Sequence, residues 1–141
     1  MTGDIPATEA LAEREVDDHH RLIEAWLRGD APRDAFAALA ARHAPGFTLH
    51  GPDGDAVPLG PLMDGLERAH GTVPGLTIEI RAVRVVEARD DLVAAVYEEH
   101  HDAPSGRTAR RSTVLLVRDA AAPGGLLWRH LHETWIVPPA V

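Results

Sequence analysis

The stretch LWRHLHETWIV, residues 127–137, constrains the fold of this sequence more than any other. We interpret it as a β-strand, in which alternate side chains project from opposite faces of a sheet. The side chains of one face are Trp128, His130, His132 and Thr134. Those of the other face are Arg129, Leu131, Glu133 and Trp135. Because neither face is purely apolar, we expect one to line a pocket and the other to form a partner surface.

The segments that precede this strand show alternating helix and strand patterns. Three helices are predicted, at residues 8–28, 32–43 and 61–70. Gly29 ends the first of them, and Pro32 lies in the first turn of the second. Strands are predicted at residues 47–50, 56–59, 76–88, 92–102, 108–118 and 127–137, with turn residues between them.

The order of these elements predicts an α+β fold. The last four strands are long and joined by short turns, which is typical of an antiparallel meander. Helices that alternate with a small hairpin before such a meander pack on one face of a curved antiparallel sheet. We therefore predict one domain over residues 1–141, with an ordered core at about 8–138.

Composition excludes several classes of function. The net charge of −8 repels phosphate groups, so nucleic-acid and anionic-membrane partners are not expected. The chain has no Cys, and all 14 basic residues are Arg, which excludes thiolate and Schiff-base chemistry. Residues 1–12 lack the pattern of a signal peptide, and no apolar run is long enough to span a membrane. A cytoplasmic protein is predicted.

Three parts of the chain carry a family resemblance. They are the run HAPGFTLHGPDG at residues 43–54, the long first helix with Trp26 near its end, and residues 128–135. In these parts, and over about residues 9–138, the sequence resembles the nuclear transport factor 2-like superfamily of cystatin-like cone folds. The SnoaL-like and calmodulin-dependent-kinase-association-like branches are the most similar.

The resemblance implies a sheet that curls into a cone, with the three N-terminal helices packed on its concave side. The superfamily includes ketosteroid isomerases, polyketide cyclases, dehydratases, an epoxide hydrolase and non-enzymatic assembly domains, so the fold alone does not decide the function. It also implies which side chains face the pocket. These are Val96, Glu98, His100, Ala109, Arg111, Thr113, Leu115, Arg129, Leu131, Glu133 and Trp135.

Glu98 and Glu133 form the first candidate site. In the epoxide-hydrolase relative, carboxylates at the matching positions activate water and protonate the leaving oxygen. Two carboxylates in a poorly solvated cavity raise one of the two pKa values, which provides both an acid and a base. The arginine that bridges them in that relative falls on Val96 here, so Arg111 is the candidate replacement. The alternative is a Glu–Arg ion-pair network that stabilises the sheet.

His19 is the second candidate, at the centre of the apolar face of the first helix. A histidine in this position is either a hydrogen-bonded core residue or, because this helix covers the cone mouth in relatives, a general base near Glu133 or His100. The predicted catalytic side chains are Glu133, Glu98, His19 and His100. The predicted ligand-binding side chains are Trp26, Arg111, Thr113, Arg129, Leu131 and Trp135.

His130 and His132 have the spacing of a metal site, because both imidazoles project from one face of a strand. His101 and Tyr97 are candidates for the same face. That face is predicted to point outward, and a genuine site requires a further carboxylate or histidine. We therefore predict an interface patch, with no metal and no cofactor.

Three functions stay open at this point. The first is a pocket protein that binds a small, partly apolar ligand. The second is a cofactor-free lyase, isomerase or hydrolase that uses Glu133 and His19 or His100 as acid and base. The third is an interaction module whose cone is filled by Trp26 and Trp135. In each case we expect a homodimer through the outer sheet face. The side chains assigned to that face are Val93, Ala95, Val114, Leu116, His130 and His132.

Overall fold

The structure is a computed structural model that describes residues 4–140. Helix α1 spans Ile5–Arg28, α2 spans Phe36–Ala40 after a 3₁₀ turn at Arg33–Ala35, and α3 spans Leu59–Arg68. The strands are β1 His43–His50, β2 Ala56–Pro58, β3 Thr77–Ala88, β4 Leu92–Ala103, β5 Gly106–Arg118 and β6 Leu126–Val137.

Helix α1 ends as predicted, since Gly29 adopts a left-handed conformation with φ of 84°. It begins earlier than predicted, because Pro6 fits the first helical turn and residues 5–7 are helical. Residues 1–3 and 141, which the prediction places outside the ordered core, lie outside the described residues. No helix within residues 4–140 is long and apolar enough to cross a membrane.

The second predicted helix is shorter than expected. It ends at Ala40, and β1 begins at His43 instead of residue 47. The chain changes conformation here because His43 pairs with Trp128 of β6, and the Trp128 amide donates to the Arg42 carbonyl at 2.8 Å. The last residue of the predicted helix, His43, is therefore part of strand β1 instead.

The six strands form one curled, mixed sheet in the order β2-β1-β6-β5-β4-β3. The predicted antiparallel meander of the last four strands is confirmed. The sheet is not wholly antiparallel, however, because β1 lies parallel to β6. The long connection from β1 to β6, which contains α3 and strands β2–β5, makes this parallel pairing possible.

The core lies between α1 and the concave face of the sheet. Ala12 and Val16 of α1 pack against a cluster of buried side chains from four strands. The cluster includes Phe47, Val93, Ala95, Tyr97, Val114, Leu116, Leu126, Trp128 and Leu131. Helix α1 is also joined to β3 by two carboxylates: Glu9 accepts from the Val85 amide at 2.9 Å, and Glu24 accepts from the Ile78 amide at 2.6 Å.

A β-bulge in β6 decides which side chains point inward. Trp128 pairs with Leu116 and His130 pairs with Leu115, so Arg129 is the extra residue. Trp128 is therefore fully buried on the same face as Leu131, although strict alternation predicts that they lie on opposite faces. Arg129 is exposed at the bulge, which makes its predicted inward orientation wrong.

The predicted facing of β4 and β5 is also wrong. Glu98 pairs with Arg111 on the outer face, and Glu99 pairs with Arg110 on the inner face. Val96 and Thr113 likewise face outward, together with His100. The inner face carries the alternate set of residues instead, which are Val93, Ala95, Tyr97, Glu99 and His101 on β4 and Arg110, Ser112, Val114 and Leu116 on β5.

Candidate functional site

A cavity of about 210 Å³ lies between α1, α3 and the concave face of the sheet. The two helices contribute a largely apolar wall. Its apolar members are Ile23, Leu27, Leu62, Met63 and Leu66. The sheet contributes an ionisable floor, which consists of Glu99, His101, Arg110 and Glu133. His19 and His20 of α1 lie beside this floor. A molecule in the cavity would therefore meet apolar surface on one side and charge on the other.

Glu99 is held by two histidines. His20 approaches one carboxylate oxygen through Nε2 at 2.9 Å, and His101 hydrogen-bonds the other oxygen through its own Nε2. His20 also contacts the Val16 carbonyl through Nδ1 at 2.7 Å. Because a carbonyl oxygen can only accept, Nδ1 of His20 carries a hydrogen, and the contact with Glu99 then needs one more proton on either partner.

The electrostatics of the pair place that proton on His20. Burial alone lowers the pKa of His20, but the charge of Glu99 and its hydrogen bond outweigh burial, so the pKa is raised. Burial alone raises the pKa of Glu99, but His20 and the hydrogen bond from His101 outweigh it, and the pKa is well below its usual value. The pair is therefore a buried imidazolium–carboxylate pair.

Glu133 is the second carboxylate of the floor and is 5% exposed. Its nearest positive group is Arg110, whose Nη1 lies 3.6 Å from Oε1. Burial, followed by the negative charge of Glu99, raises the pKa of Glu133 to about 7. We call Glu99 and Glu133 the carboxylate pair. Glu99 is ionised and Glu133 titrates near neutrality, an arrangement typical of acid–base sites.

His19 and His43 are hydrogen-bonded to each other beside the carboxylate pair. His43 donates from Nδ1 to the Ala40 carbonyl at 3.3 Å, so its Nε2 accepts a hydrogen from Nε2 of His19 at 3.2 Å. This leaves Nδ1 of His19 as a buried acceptor that has no hydrogen-bond partner within residues 4–140. Burial lowers the pKa of His19 well below its usual value, so the ring is neutral.

Three of the predicted site residues line this cavity: Glu133, Leu131 and His19. Glu98 and His100 instead lie together on the outer face, where they are 2.9 Å apart. Arg111 is exposed there and lies 3.6 Å from Glu98, so these residues form a surface ion-pair network. Their predicted position at the cavity is wrong.

The remaining predicted ligand contacts lie elsewhere. Arg129 donates to the Gly46 carbonyl on the surface at 2.6 Å, and Thr113 is exposed. Trp26 donates to the Leu66 carbonyl at 2.7 Å and joins the helices. Trp135 lies under the Arg110 guanidinium at 4.8 Å and donates to Asp53 at 2.8 Å. Neither tryptophan lines the cavity, so they do not plug it.

Sequence reasoning missed Glu99, Arg110, His101, His20 and His43. Four of these five belong to doublets in the sequence: His19-His20, Glu98-Glu99, His100-His101 and Arg110-Arg111. On a strand, a doublet places the same chemistry on both faces. The pattern therefore predicts a Glu, a His and an Arg at the cavity, but it does not say which member of each doublet is there.

The outer face differs from prediction in a second way. The sequence predicts Val93, Ala95, Val114 and Leu116 at a dimer surface, but each is fully buried in the core. His130 and His132 do face outward. Tyr97 and His101 are predicted on the same face, but they lie on the inner face, and Tyr97 is 1% exposed.

Comparison with solved structures identifies the family. An NTF2-like protein of unknown function from Pseudomonas aeruginosa is 38% identical to this chain, and the match covers 89% of this chain and 98% of the other, with a TM-score of 0.84. This chain belongs to the NTF2-like family. The predicted superfamily is thereby confirmed for this NTF2-like protein.

More distant structures share the fold of this NTF2-like protein. A putative ketosteroid isomerase from Shewanella frigidimarina has 15% identity and a TM-score of 0.65, with 88% of this chain and 94% of the other covered. A CaMKII hub from S. rosetta has 18% identity and a TM-score of 0.64, with 96% and 98% covered. No protein-family model matches the sequence, and no curated protein matches it.

Proposed function

We propose that this NTF2-like protein binds a small, partly apolar molecule in the cavity between α1, α3 and the sheet. The observation that carries the proposal is the division of the cavity wall into an apolar helical side and an ionisable floor. A pocket with apolar walls and a few polar groups is the usual form of a small-molecule site. At about 210 Å³ the cavity is smaller than the roughly 300–1,000 Å³ typical of drug-sized ligands, which favours a compact molecule.

The charges of the floor indicate the chemistry of that molecule. The negative charge of Glu99 is already balanced by His20, and His101 hydrogen-bonds its other oxygen, so Glu99 offers little to a cationic ligand. Glu133 and the free Nδ1 of His19 remain as hydrogen-bonding groups. A neutral molecule with an apolar body and one hydroxyl or carbonyl oxygen fits this arrangement best.

Binding can be tested with phenol and cyclohexanone as probes in saturation-transfer NMR. Met63→Trp adds bulk to the cavity from α3 and is expected to abolish the transfer signal. Val86→Trp is the matched control, because Val86 is 60% exposed and lies on β3 away from the cavity. Wild-type protein that gives no signal, or a Met63→Trp variant that binds as well as Val86→Trp, would contradict the proposal.

Acid–base chemistry on the bound molecule is a second candidate function, which the carboxylate pair supports. Glu133 titrates near pH 7, where a group can both take and give a proton efficiently. His100 lies on the outer face, so this mechanism uses Glu133 with His19 and not with His100. Cyclohexanone in D₂O should exchange its α-hydrogens faster with wild-type protein than with Glu133→Gln. Glu98→Gln, which changes a carboxylate of the outer face, should exchange as wild type does.

Self-association through the outer sheet face also stays a prediction, with a corrected set of residues. The outward side chains of β4 and β5 include half-buried apolar ones, namely Ala94, Val96 and Leu115. A homodimer through this face predicts that Val96→Glu lowers the apparent mass in size-exclusion chromatography with light scattering. A wild-type monomer at micromolar concentration would contradict it.

A further inference from the structure

Three histidines converge on the outer face of the sheet, opposite the cavity. His50 is the last residue of β1 and pairs with His132 of β6 across the parallel strands. His130 lies two residues before His132 and therefore projects from the same face. One ring nitrogen from each of the three lies within 4.8 Å of the other two. We call His50, His130 and His132 the histidine triad.

We propose that the histidine triad binds one divalent first-row transition-metal ion of the zinc class. Imidazole nitrogen is a preferred ligand for zinc, copper and nickel, and three histidines with an open fourth position form a common zinc site. Calcium and magnesium, which prefer oxygen ligands, do not suit three imidazoles.

The geometry needs little adjustment to hold an ion. Nitrogens bound to one tetrahedral zinc at ~2.1 Å lie ~3.4 Å apart, so a separation of up to 4.8 Å closes by side-chain rotation. His50 and His132 are exposed, which leaves their rings free to rotate. The ring centroids of His50 and His130 are 5.0 Å apart, and those of His50 and His132 are 5.3 Å apart.

Thr48 orients one member of the triad, His130. Oγ1 of Thr48 lies 2.7 Å from Nδ1 of His130, and Thr48 is the cross-strand partner of that histidine. When Nδ1 donates its hydrogen to this hydroxyl, the lone pair of Nε2 is left for a metal ion. Metal-bound histidines in general use their second nitrogen in this way. The proposed ion would join β1 to β6 just beyond the place where their pairing is irregular, between His43 and Thr48.

The test uses full-length protein that carries no polyhistidine tag and has been stripped with a chelator. Zinc chloride titrated by calorimetry should show one saturable site per chain, and cobalt should give the visible absorption bands of tetrahedral coordination. At a zinc concentration of about 100 times Kd, the melting temperature should rise by roughly 5–10 °C.

Variants separate the triad from the other histidines. His50→Ala, His130→Ala and His132→Ala should each weaken zinc binding by more than Thr48→Val, for which about a 10-fold loss is expected. His100→Ala is the matched control: it removes an imidazole from the same sheet face, outside the triad, and should leave the affinity unchanged.

Several outcomes would overturn the proposal. These are the absence of saturable zinc binding at millimolar concentration, a loss in His100→Ala as large as that in the triad variants, and triad variants that bind as wild type does. Half an ion per chain would show that two copies share the metal, which contradicts a site built within one chain. The proposal does not depend on the cavity, so phenol binding and zinc binding can fail independently.

Discussion

Nε2 of His20 lies 2.9 Å from Oε1 of Glu99, and both side chains are almost fully buried. Helix α1 and strand β4 are thus joined by a charged pair at the floor of the cavity. A buried pair of this kind adds little stability compared with apolar residues, but the loss of one partner is costly because the other charge stays behind. The pair therefore fixes the position of α1 over the sheet more than it strengthens the fold.

The first prediction compares two adjacent carboxylates. Glu99→Gln should lower the free energy of unfolding by about 3–5 kcal/mol, because the His20 imidazolium loses its buried counter-charge. Glu98→Gln changes the neighbouring residue on the solvent side and should leave stability nearly unchanged. Urea unfolding of both variants provides the measurement. Equal losses in the two variants would show that Glu99 has no special role.

The second prediction concerns pH. The pKa of Glu133 rises on folding from its usual value of 4.5 to about 7, so the folded state retains a proton that the unfolded state releases between these values. This contribution to stability is complete below pH 4.5 and is lost as the pH rises through 7, and it amounts to at most about 3 kcal/mol.

Glu133→Gln should therefore flatten the fall in unfolding free energy between pH 4.5 and 7. Folding lowers the pKa of Glu99, so the stability that Glu99 contributes is lost only as the pH falls below 4.5, which is outside this window. Folding raises the pKa of His20, so the stability that His20 contributes is lost as the pH rises above 6.5. This loss occurs in the Glu133→Gln variant as well. A curve for Glu133→Gln that overlaps wild type would contradict the prediction.

The third prediction contrasts Arg110 with Arg111. Arg110 packs over the Trp135 ring and lies beside Glu133, whereas Arg111 is exposed on the other face. Arg110→Gln should reduce the free energy of unfolding by about 1–2 kcal/mol through the lost cation–π contact and the lost ion pair, and it should shift the tryptophan emission. Arg111→Gln should change neither quantity. If the two variants give identical emission spectra, the assignment of the inner face to Arg110 is incorrect.

The fourth prediction concerns two glycines. Gly29 has φ of 84°, and a Cβ placed there would lie 3.2 Å from Cα of Gly71, so Gly29→Ala should destabilise the protein by about 1–2 kcal/mol. Gly65 lies inside α3 with open space where a Cβ would be. Gly65→Ala should instead stabilise the protein by up to about 1 kcal/mol, since alanine favours the helix. Thermal unfolding of the two variants should show shifts of opposite sign.

Much of the fold could be predicted from the sequence, because its elements depend on local signals. Glycines and prolines mark the ends of the helices, and the β-rich runs between turns mark the four long strands. The parallel pairing of β1 with β6 has no local signal. It depends on contacts between residues far apart in the chain, such as those of His50 with His132.

The candidate site was harder to predict, because it depends on which face of each strand points inward. Each bulge adds one residue to a strand, and one extra residue exchanges the inner and outer faces. The bulge at Arg129 moved Trp128 into the core while Leu131 and Glu133 remained inward. Strand β4 offers acidic and imidazole groups on both faces, so its hydrophobic pattern does not distinguish Glu98 from Glu99.

The carboxylates of Glu9 and Glu24 have a consequence beyond holding α1 in place. They accept hydrogens from backbone amides of β3, the strand at one border of the sheet. An unoccupied border strand is a template on which a strand from another chain can pair, and such pairing leads to fibrous polymers. Helix α1 therefore covers part of this edge strand and limits such pairing. Two backbone amides of β3 are thus already bonded within the chain and are not available to pair with a strand of another copy.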